Sequence, residues 1–437
     1  MDVATTFLPL LQVFSSAMTQ PTFKTFTTLR AGRLLTPQRT ILGSVRASGE
    51  ERHHAAFHRL FASARWSIDQ VALAVFDLIT EGLSVVYLAG DDTLIPRTGL
   101  KIFGSGMHRD PMLSSRGFTV TRWGHCWVVL CVVIESRWTP GRVFALPVLC
   151  RLYLGKKSAT KWRRVYRKKT DLMLDMLRLL QHHIDGTEKR LHFVGDSAFT
   201  APAVLNQMPA SIAVTGRVVV NARMYDPPPP RNSKRPGRPR KRGERLPAPE
   251  SLLQTKGLRR LTIQLYQGKA YKMRVAAQVG RFHKAPDRDV KLVVTQHLRG
   301  GRGVEAFYTT QADATIETIL KTYSQRWSVE VTFQNTKGHL GVNEPRNRKP
   351  MAVRRTAATG FLLYSLIVWW HERIRTGPAD RIKTWPGKTG SSFADMMASL
   401  RNETLMTMQQ NHLSTPVPSP GVKKYIQHLT HLLTLAA

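Results

Sequence analysis

The spacing of apolar positions changes along the chain. Over residues 1–80 they recur at helical intervals, as in Glu50 to Phe61 and Ser67 to Ile79, with mixed charge between them and few strand signals. A helical N-terminal region is expected there. From about residue 83 the period shortens: Leu83 to Leu88, Trp127 to Ile134 and Val143 to Leu149 read as three consecutive strands divided by Gly and Pro turn signals. Thr170 to Ile184 returns to helical spacing, with Leu172, Leu174, Met176, Leu177, Leu179 and Leu180 among its apolar positions and Asp171 near its start. Leu191 to Val194 and Ile212 to Val220 then read as a fourth and fifth strand. Leu261 to Tyr266, Tyr271 to Val279, Val290 to Thr295 and Val304 to Thr309 follow as further strands, and Thr315 to Thr336 as one long helix.

Two stretches break the pattern. Asp226 to Pro249 is rich in Pro, Arg and Lys, with Pro227 to Pro230 in a row, and cannot build a packed core. The tail from Gly377 is rich in Pro, Gly, Ser and Thr, and only Val422 to Leu435 regains helical spacing. Gly360 to Trp370 is the strongest apolar run, yet it is shorter than the roughly 20 residues a bilayer needs and follows Arg354 and Arg355 closely. It predicts a buried helix, Met351 to Arg375, and no membrane partner. The Phe7 to Phe14 patch follows Asp2, lacks a cleavage site and does not predict a signal peptide.

Composition sharpens the picture. The 437 residues suffice for two or three domains, and 42% hydrophobic content fits a folded protein. Lys and Arg number 65 against 29 Asp and Glu, a formal net charge of +36. Self-repulsion on that scale points to a polyanionic partner, and the even spread of basic residues favours nucleic acid over a membrane surface. Cys126, Cys131 and Cys150 lie in apolar runs without CxxC spacing, as buried thiols do.

In so basic a chain a few carboxylates stand at telling places. Asp91 and Asp92 follow the strand Leu83 to Leu88, and Asp196 follows Leu191 to Val194, at strand ends where open α/β sheets build sites. Either also suits an ordinary turn or cap. Ile316, Leu320, Tyr323 and Trp327 follow the 4,3,4 spacing of a buried helix face, and the next position in register is Glu330. A carboxylate so placed needs a metal or a cation, and Arg326, one turn earlier, supplies one reading of it as a structural i,i+4 pair.

Tyr323-x(2)-Arg326-x(3)-Glu330-x(6)-Lys337 resembles the signature of a group of bacterial insertion-sequence DDE transposases, and Gly90-Asp-Asp-Thr93 and Gly195-Asp196 resemble that family's other acidic motifs. The resemblance covers most of residues 40–375. It implies an α/β fold with a ribonuclease-H-like catalytic core, a helical N-terminal domain and a β-rich insertion before the last catalytic helix. The divisions expected are 1–80 for the DNA-binding helices, 81–220 and 290–375 for the core, 221–289 for the basic linker and insertion, and 376–437 for a tail available for dimerisation. Asp91, Asp196 and Glu330 are then the catalytic and metal-binding triad for Mg²⁺, with Mn²⁺ as substitute. Asp91 is preferred to Asp92 because the family commonly shows Asp-x-Thr and Thr93 fits. Tyr323, Arg326 and Lys337 are implied to grip phosphates of double-stranded DNA at transposon ends and target, by a homodimer in the bacterial cytoplasm, associated with the nucleoid. A metal-dependent nuclease without strand transfer and a non-catalytic DNA-binding relative are the other readings.

Relatives carry in the insertion a tryptophan that stacks on a flipped base. Here no Trp lies between Trp162 and Trp327, and Tyr266, Tyr271 and Phe282 offer either a stacking face or ordinary strand packing. Arg235-Pro-Gly-Arg-Pro-Arg-Lys-Arg242 resembles an AT-hook, with Arg238 and Arg240 as its phosphate or groove contacts, or else forms a solvated basic loop. Arg46, Arg52, His53, His54, Arg59 and Arg65 form a second candidate DNA-facing set.

Overall fold

The computed structural model describes residues 3–110, 112–115, 117–230, 240, 242–254, 258–298, 303–377 and 388–413. Its N-terminal region is helical as expected: α1 (Leu8–Gln12), a 3-10 turn (Val13–Ala17), α2 (Gln20–Leu35), α3 (Ile41–Ala47), α4 (Ala55–Ala62) and α5 (Ile68–Ile79). Side-chain caps start two of these. Thr40 accepts from the Gly43 amide at α3 and Ser67 from the Gln70 amide at α5, each satisfying an orphan donor of the first turn. Phe7, Phe14, Phe26, Phe57 and Phe61 are fully buried among these helices and join the main core.

Among the described residues the strands form one eleven-stranded mixed sheet. In chain order they are β1 (Val85–Pro96), β2 (Gly106–Arg109), β3 (Thr121–Glu135), β4 (Val143–Tyr153), β5 (Arg190–Gly195), β6 (Ala213–Val218), β7 (Met224–Tyr225), β8 (Arg259–Gln264), β9 (Ala270–Phe282), β10 (Ala285–His297) and β11 (Glu305–Thr309). β3 lies antiparallel to β1, with β2 and β4 along its other side, while β1, β5 and β6 run parallel. β11, β10 and β9 continue the same sheet antiparallel from β6, so among the described residues the strands on both sides of residue 289 belong to one sheet. Between β4 and β6 lie α6 (Lys156–Lys161), α7 (Lys169–Ile184) and α8 (Pro202–Leu205).

After β11 come α9 (Ile316–Gln325), α10 (Ser328–Gly338), α11 (Pro350–Trp369), a π turn (Trp370–Ile374) and α12 (Phe393–Leu413). α11 is buried almost throughout from Ala352 to Val368, as its apolar run predicts, and no helix among the described residues is long and apolar enough to cross a membrane.

Three expectations are corrected. The first strand does not end at Leu88: its antiparallel pairing with β3 runs on to Pro96↔Gly124, so Asp91 and Asp92 lie inside a strand. The helix expected over Thr315 to Thr336 is two helices. At Arg326 and Trp327 the amides reach back only three residues, to the Tyr323 and Ser324 carbonyls, and this tightened turn rotates α10 relative to α9. Trp327 is therefore 51% exposed instead of completing the buried face. The tail is also not structureless before Val422: α12 buries Phe393, Met396, Met397 and Leu400 in the core. The stretch Val422 to Leu435 lies outside the described residues.

Candidate active site

Alternation along β1 separates its two acidic residues. Successive side chains of a strand point to opposite faces, and here Asp91 meets Arg326 at the α9–α10 junction while Asp92 meets Lys169 at the start of α7. Asp92 Oδ2 accepts from Lys169 Nζ at 2.6 Å and from Cys126 Sγ at 3.3 Å. Asp91 Oδ2 accepts from Arg326 Nη1 at 2.8 Å.

Asp196 comes from the neighbouring strand. β1 and β5 pair in parallel up to Gly90↔Gly195, so the two aspartates occupy the next positions on adjoining strands. The space over Gly90 is filled by the end of the Met173 side chain from α7 and by the Phe193 ring, which a Cβ there would meet at 2.4 and 2.9 Å. Asp196 Oδ1 accepts from the amides of Ala198 and Phe199, and this turn fixes its carboxylate at the end of β5.

Glu330 stands in the first turn of α10 and accepts from Arg326 Nη2 at 3.2 Å. The guanidinium of Arg326, whose side chain is only 11% exposed, thus bridges Asp91 and Glu330. Burial acts to lower its pKa, but Asp91, Tyr323 and Glu330 outweigh burial and the net shift is upward. Asp91 responds in the opposite way. Burial is the largest influence on its carboxyl and, with Asp196 nearby, outweighs Arg326 and pushes its pKa up to about 7. Among the described residues no three His, Cys, Asp or Glu side chains converge as a ready-made metal cluster, and between Asp91 and Glu330 the cation is Arg326.

Tyr323 packs on Phe307, with ring centroids 4.7 Å apart, and its ring lies 5.9 Å from the Arg326 guanidinium. Lys337 ends α10, where burial lowers its pKa against the pull of Asp110. Arg240 is exposed, whereas Arg238 and the rest of the Arg235 to Pro239 stretch lie outside the described residues.

Beside the carboxylates opens a cleft of about 780 Å³ between β9–β11 and α9. Tyr266, Tyr271, Tyr323 and Trp327 line it with Arg217 and Lys269. Phe282 is absent from it and packs in the core against Tyr308. Sequence reasoning missed Arg217, Lys269 and Lys169. A lysine in the first turn of a helix opposes the helix dipole, and that was the available signal at Lys169.

The chain belongs to the DDE superfamily endonuclease family, which it matches over residues 11–276. The match contains Asp91 and Asp196 and ends before Glu330. Among solved structures the chain is similar to the cryo-EM structure of a piggyBac transposase synaptic complex with hairpin DNA, at 11% identity and a TM-score of 0.37, covering 98% of this chain and 81% of that one. No curated protein matches the sequence.

Proposed function

We propose that this protein is a DNA transposase of the cut-and-paste insertion-sequence group, which binds the ends of its element as a homodimer, cleaves them and transfers the strands to target DNA. The observation that carries this reading is the meeting of Asp91 and Glu330 on one guanidinium, with Asp196 one strand away, in a chain of the DDE superfamily. The order β4-β3-β1-β5-β6 is the one a ribonuclease-H-like core requires.

The donor set suits a hard divalent ion such as Mg²⁺, because all three candidate ligands are carboxylates and the cation that bridges two of them is a side chain on a helix junction. Asp91, Asp196 and Glu330 would hold the metal, Asp92 being engaged by Lys169 on the other face of the strand. When bound, a pair of such ions supplies activation of the attacking hydroxyl and charge neutralisation at the departing 3′-oxygen. Arg326, freed from the carboxylates, would grip the phosphate next to the scissile bond in bidentate fashion, and Tyr323 would hold the guanidinium in place. In the aromatic cleft, Trp327 and Tyr271 offer stacking faces to a base displaced from the duplex.

The test is cleavage of a supercoiled plasmid carrying the element's own ends, with Mg²⁺, by the wild type and by Glu330→Gln. End-specific cutting and strand joining by the wild type, lost in the variant while DNA binding persists, is the expected result. Equal cutting by the variant places the active site elsewhere, and nicking without joined product makes the protein a nuclease.

A further inference from the structure

On the N-terminal side of the core, a second cleft of about 640 Å³ opens between α4 and the segment that links α10 to α11. Arg59 and His58 line it from α4, and Arg346, Arg348 and Lys349 from the linking segment. No acidic residue lines it, and among the described residues none of these arginines or the lysine is in an ion pair. All five side chains are exposed. Cations gathered in a concavity without counter-charge repel one another, so the arrangement is stable only if its frame is fixed from outside.

The frame is fixed. Arg33, 2% exposed, donates from its guanidinium to the carbonyls of Leu340 and Gly341. Arg97 at the end of β1 donates to the carbonyls of Val342, Asn343 and Pro345. The Arg39 amide donates to Glu344 at 2.6 Å. These donors, gathered on one short segment directly after the helix that carries Glu330, hold that segment against α2 and the end of β1. Its outer residues, Arg346 to Lys349, are thereby set facing α4.

We infer that this cleft is a docking surface for the phosphate backbone of duplex DNA, held by Arg59, Arg346, Arg348 and Lys349, and that it carries the DNA beyond the catalytic carboxylates onto the N-terminal helices. The inference rests on the reading of DNA as substrate but not on the metal triad. Preset cations lose little freedom on binding and release counterions for each phosphate they neutralise. The contacts are to backbone, so they position the duplex without reading its sequence.

The test is the salt dependence of binding to a random-sequence duplex, measured by fluorescence anisotropy on the full-length protein. The triple variant Arg59→Gln, Arg346→Gln, Arg348→Gln is compared with a charge-matched control on exposed residues of β8 and β9, Arg259→Gln, Arg260→Gln, Lys272→Gln. The cleft variant is expected to flatten the plot of log affinity against log salt by about 2–3, at roughly 0.9 per lost phosphate contact, and the control to leave it unchanged. Equal slopes for wild type and cleft variant, or equal flattening in both variants, overturn the inference. Arg59→Glu alone, on the exposed face of α4, repeats the test should the triple variant fold poorly, and an unchanged slope there has the same meaning. A wild type that binds no duplex at all sinks the DNA reading itself, and this cleft's role with it.

Discussion

Arg326 shows how one side chain can be read in two ways that are both physically sound. As a structural partner it neutralises Asp91 and Glu330; as a functional group it stands where a metal ion would serve both carboxylates. The two roles separate under substitution. Arg326→Ala removes a mostly buried charge from a cluster in which Glu330 is 39% exposed, so the cost in metal-free buffer is expected at about 1–3 kcal/mol after discounting for solvent screening. Added Mg²⁺ should then stabilise the variant more than the wild type, because the ion no longer competes with the guanidinium. Urea unfolding with and without Mg²⁺ measures this, and equal stabilisation of both proteins would mean that the carboxylates share no cation site.

His125 offers a residue-scale prediction away from the carboxylates. Its Nδ1 accepts from Arg97 Nε at 3.1 Å, which leaves Nε2 to donate to the Phe103 carbonyl at 2.9 Å. Burial first, and then Arg97, lower its pKa to about 3. In the unfolded chain the imidazole takes a proton below its ordinary value of about 6.5. Between those values the unfolded state binds the extra proton, so His125 contributes stability above pH 6.5 that is lost as pH falls, by about 1.4 kcal/mol per pH unit. Unfolding free energies of the wild type and His125→Gln, taken from pH 7 to pH 4, should converge as the pH drops; parallel curves would show that His125 is not held neutral.

At the scale of elements, the junction of α9 and α10 explains both the success and the failure of pattern reading. Leu320, at one of the periodic positions, is buried, and Glu330 does face the carboxylate site. Trp327 does not continue the face, because periodicity assumes 3.6 residues per turn and the turn at Arg326 is tighter. Asp91 was legible as a candidate by its company, Gly90 and Thr93, but its place inside a strand was not, since the extra length of β1 is set by pairing with the fifteen-residue β3 across a long loop. Lys169 and Arg217 reach their partners Asp92 and Glu305 only through the fold, and no local spacing announces such pairs. The junction makes a clear contrast in stability. Leu320→Ala should cost about 2–5 kcal/mol by leaving a cavity. Trp327→Ala, half exposed, should cost under about 1 kcal/mol. A loss at Trp327 as large as at Leu320, by chemical denaturation, would show that its ring is part of the core and not free to stack on a base.

For the whole molecule, α12 closes on the residues ahead of α1. The Ala4 amide donates to Thr404 Oγ1 at 3.3 Å, Thr6 Oγ1 to Glu403 Oε2 at 3.1 Å, and Trp370 Nε1 to Thr6 Oγ1 at 3.0 Å. α12 thereby covers α2 and α11, where Leu29, Leu34, Tyr364 and Leu366 are buried. The Pro- and Ser-rich composition around it hid this helix from pattern reading, because its apolar residues pack against surfaces contributed by distant segments. Removing residues 388–437 would strip Phe393, Met396, Met397 and Leu400 from that core, at about 1.5–3 kcal/mol for each side chain re-exposed. Such a sum approaches the whole stability of an ordinary domain, about 5–15 kcal/mol. The truncated protein is therefore expected to aggregate or to lose its cooperative thermal transition, whereas a chain ending at residue 413 should keep it. Calorimetry of the two truncations decides the matter: a cooperative transition at an unchanged temperature in the shorter one would make α12 dispensable to the core and free it for contact with a second copy.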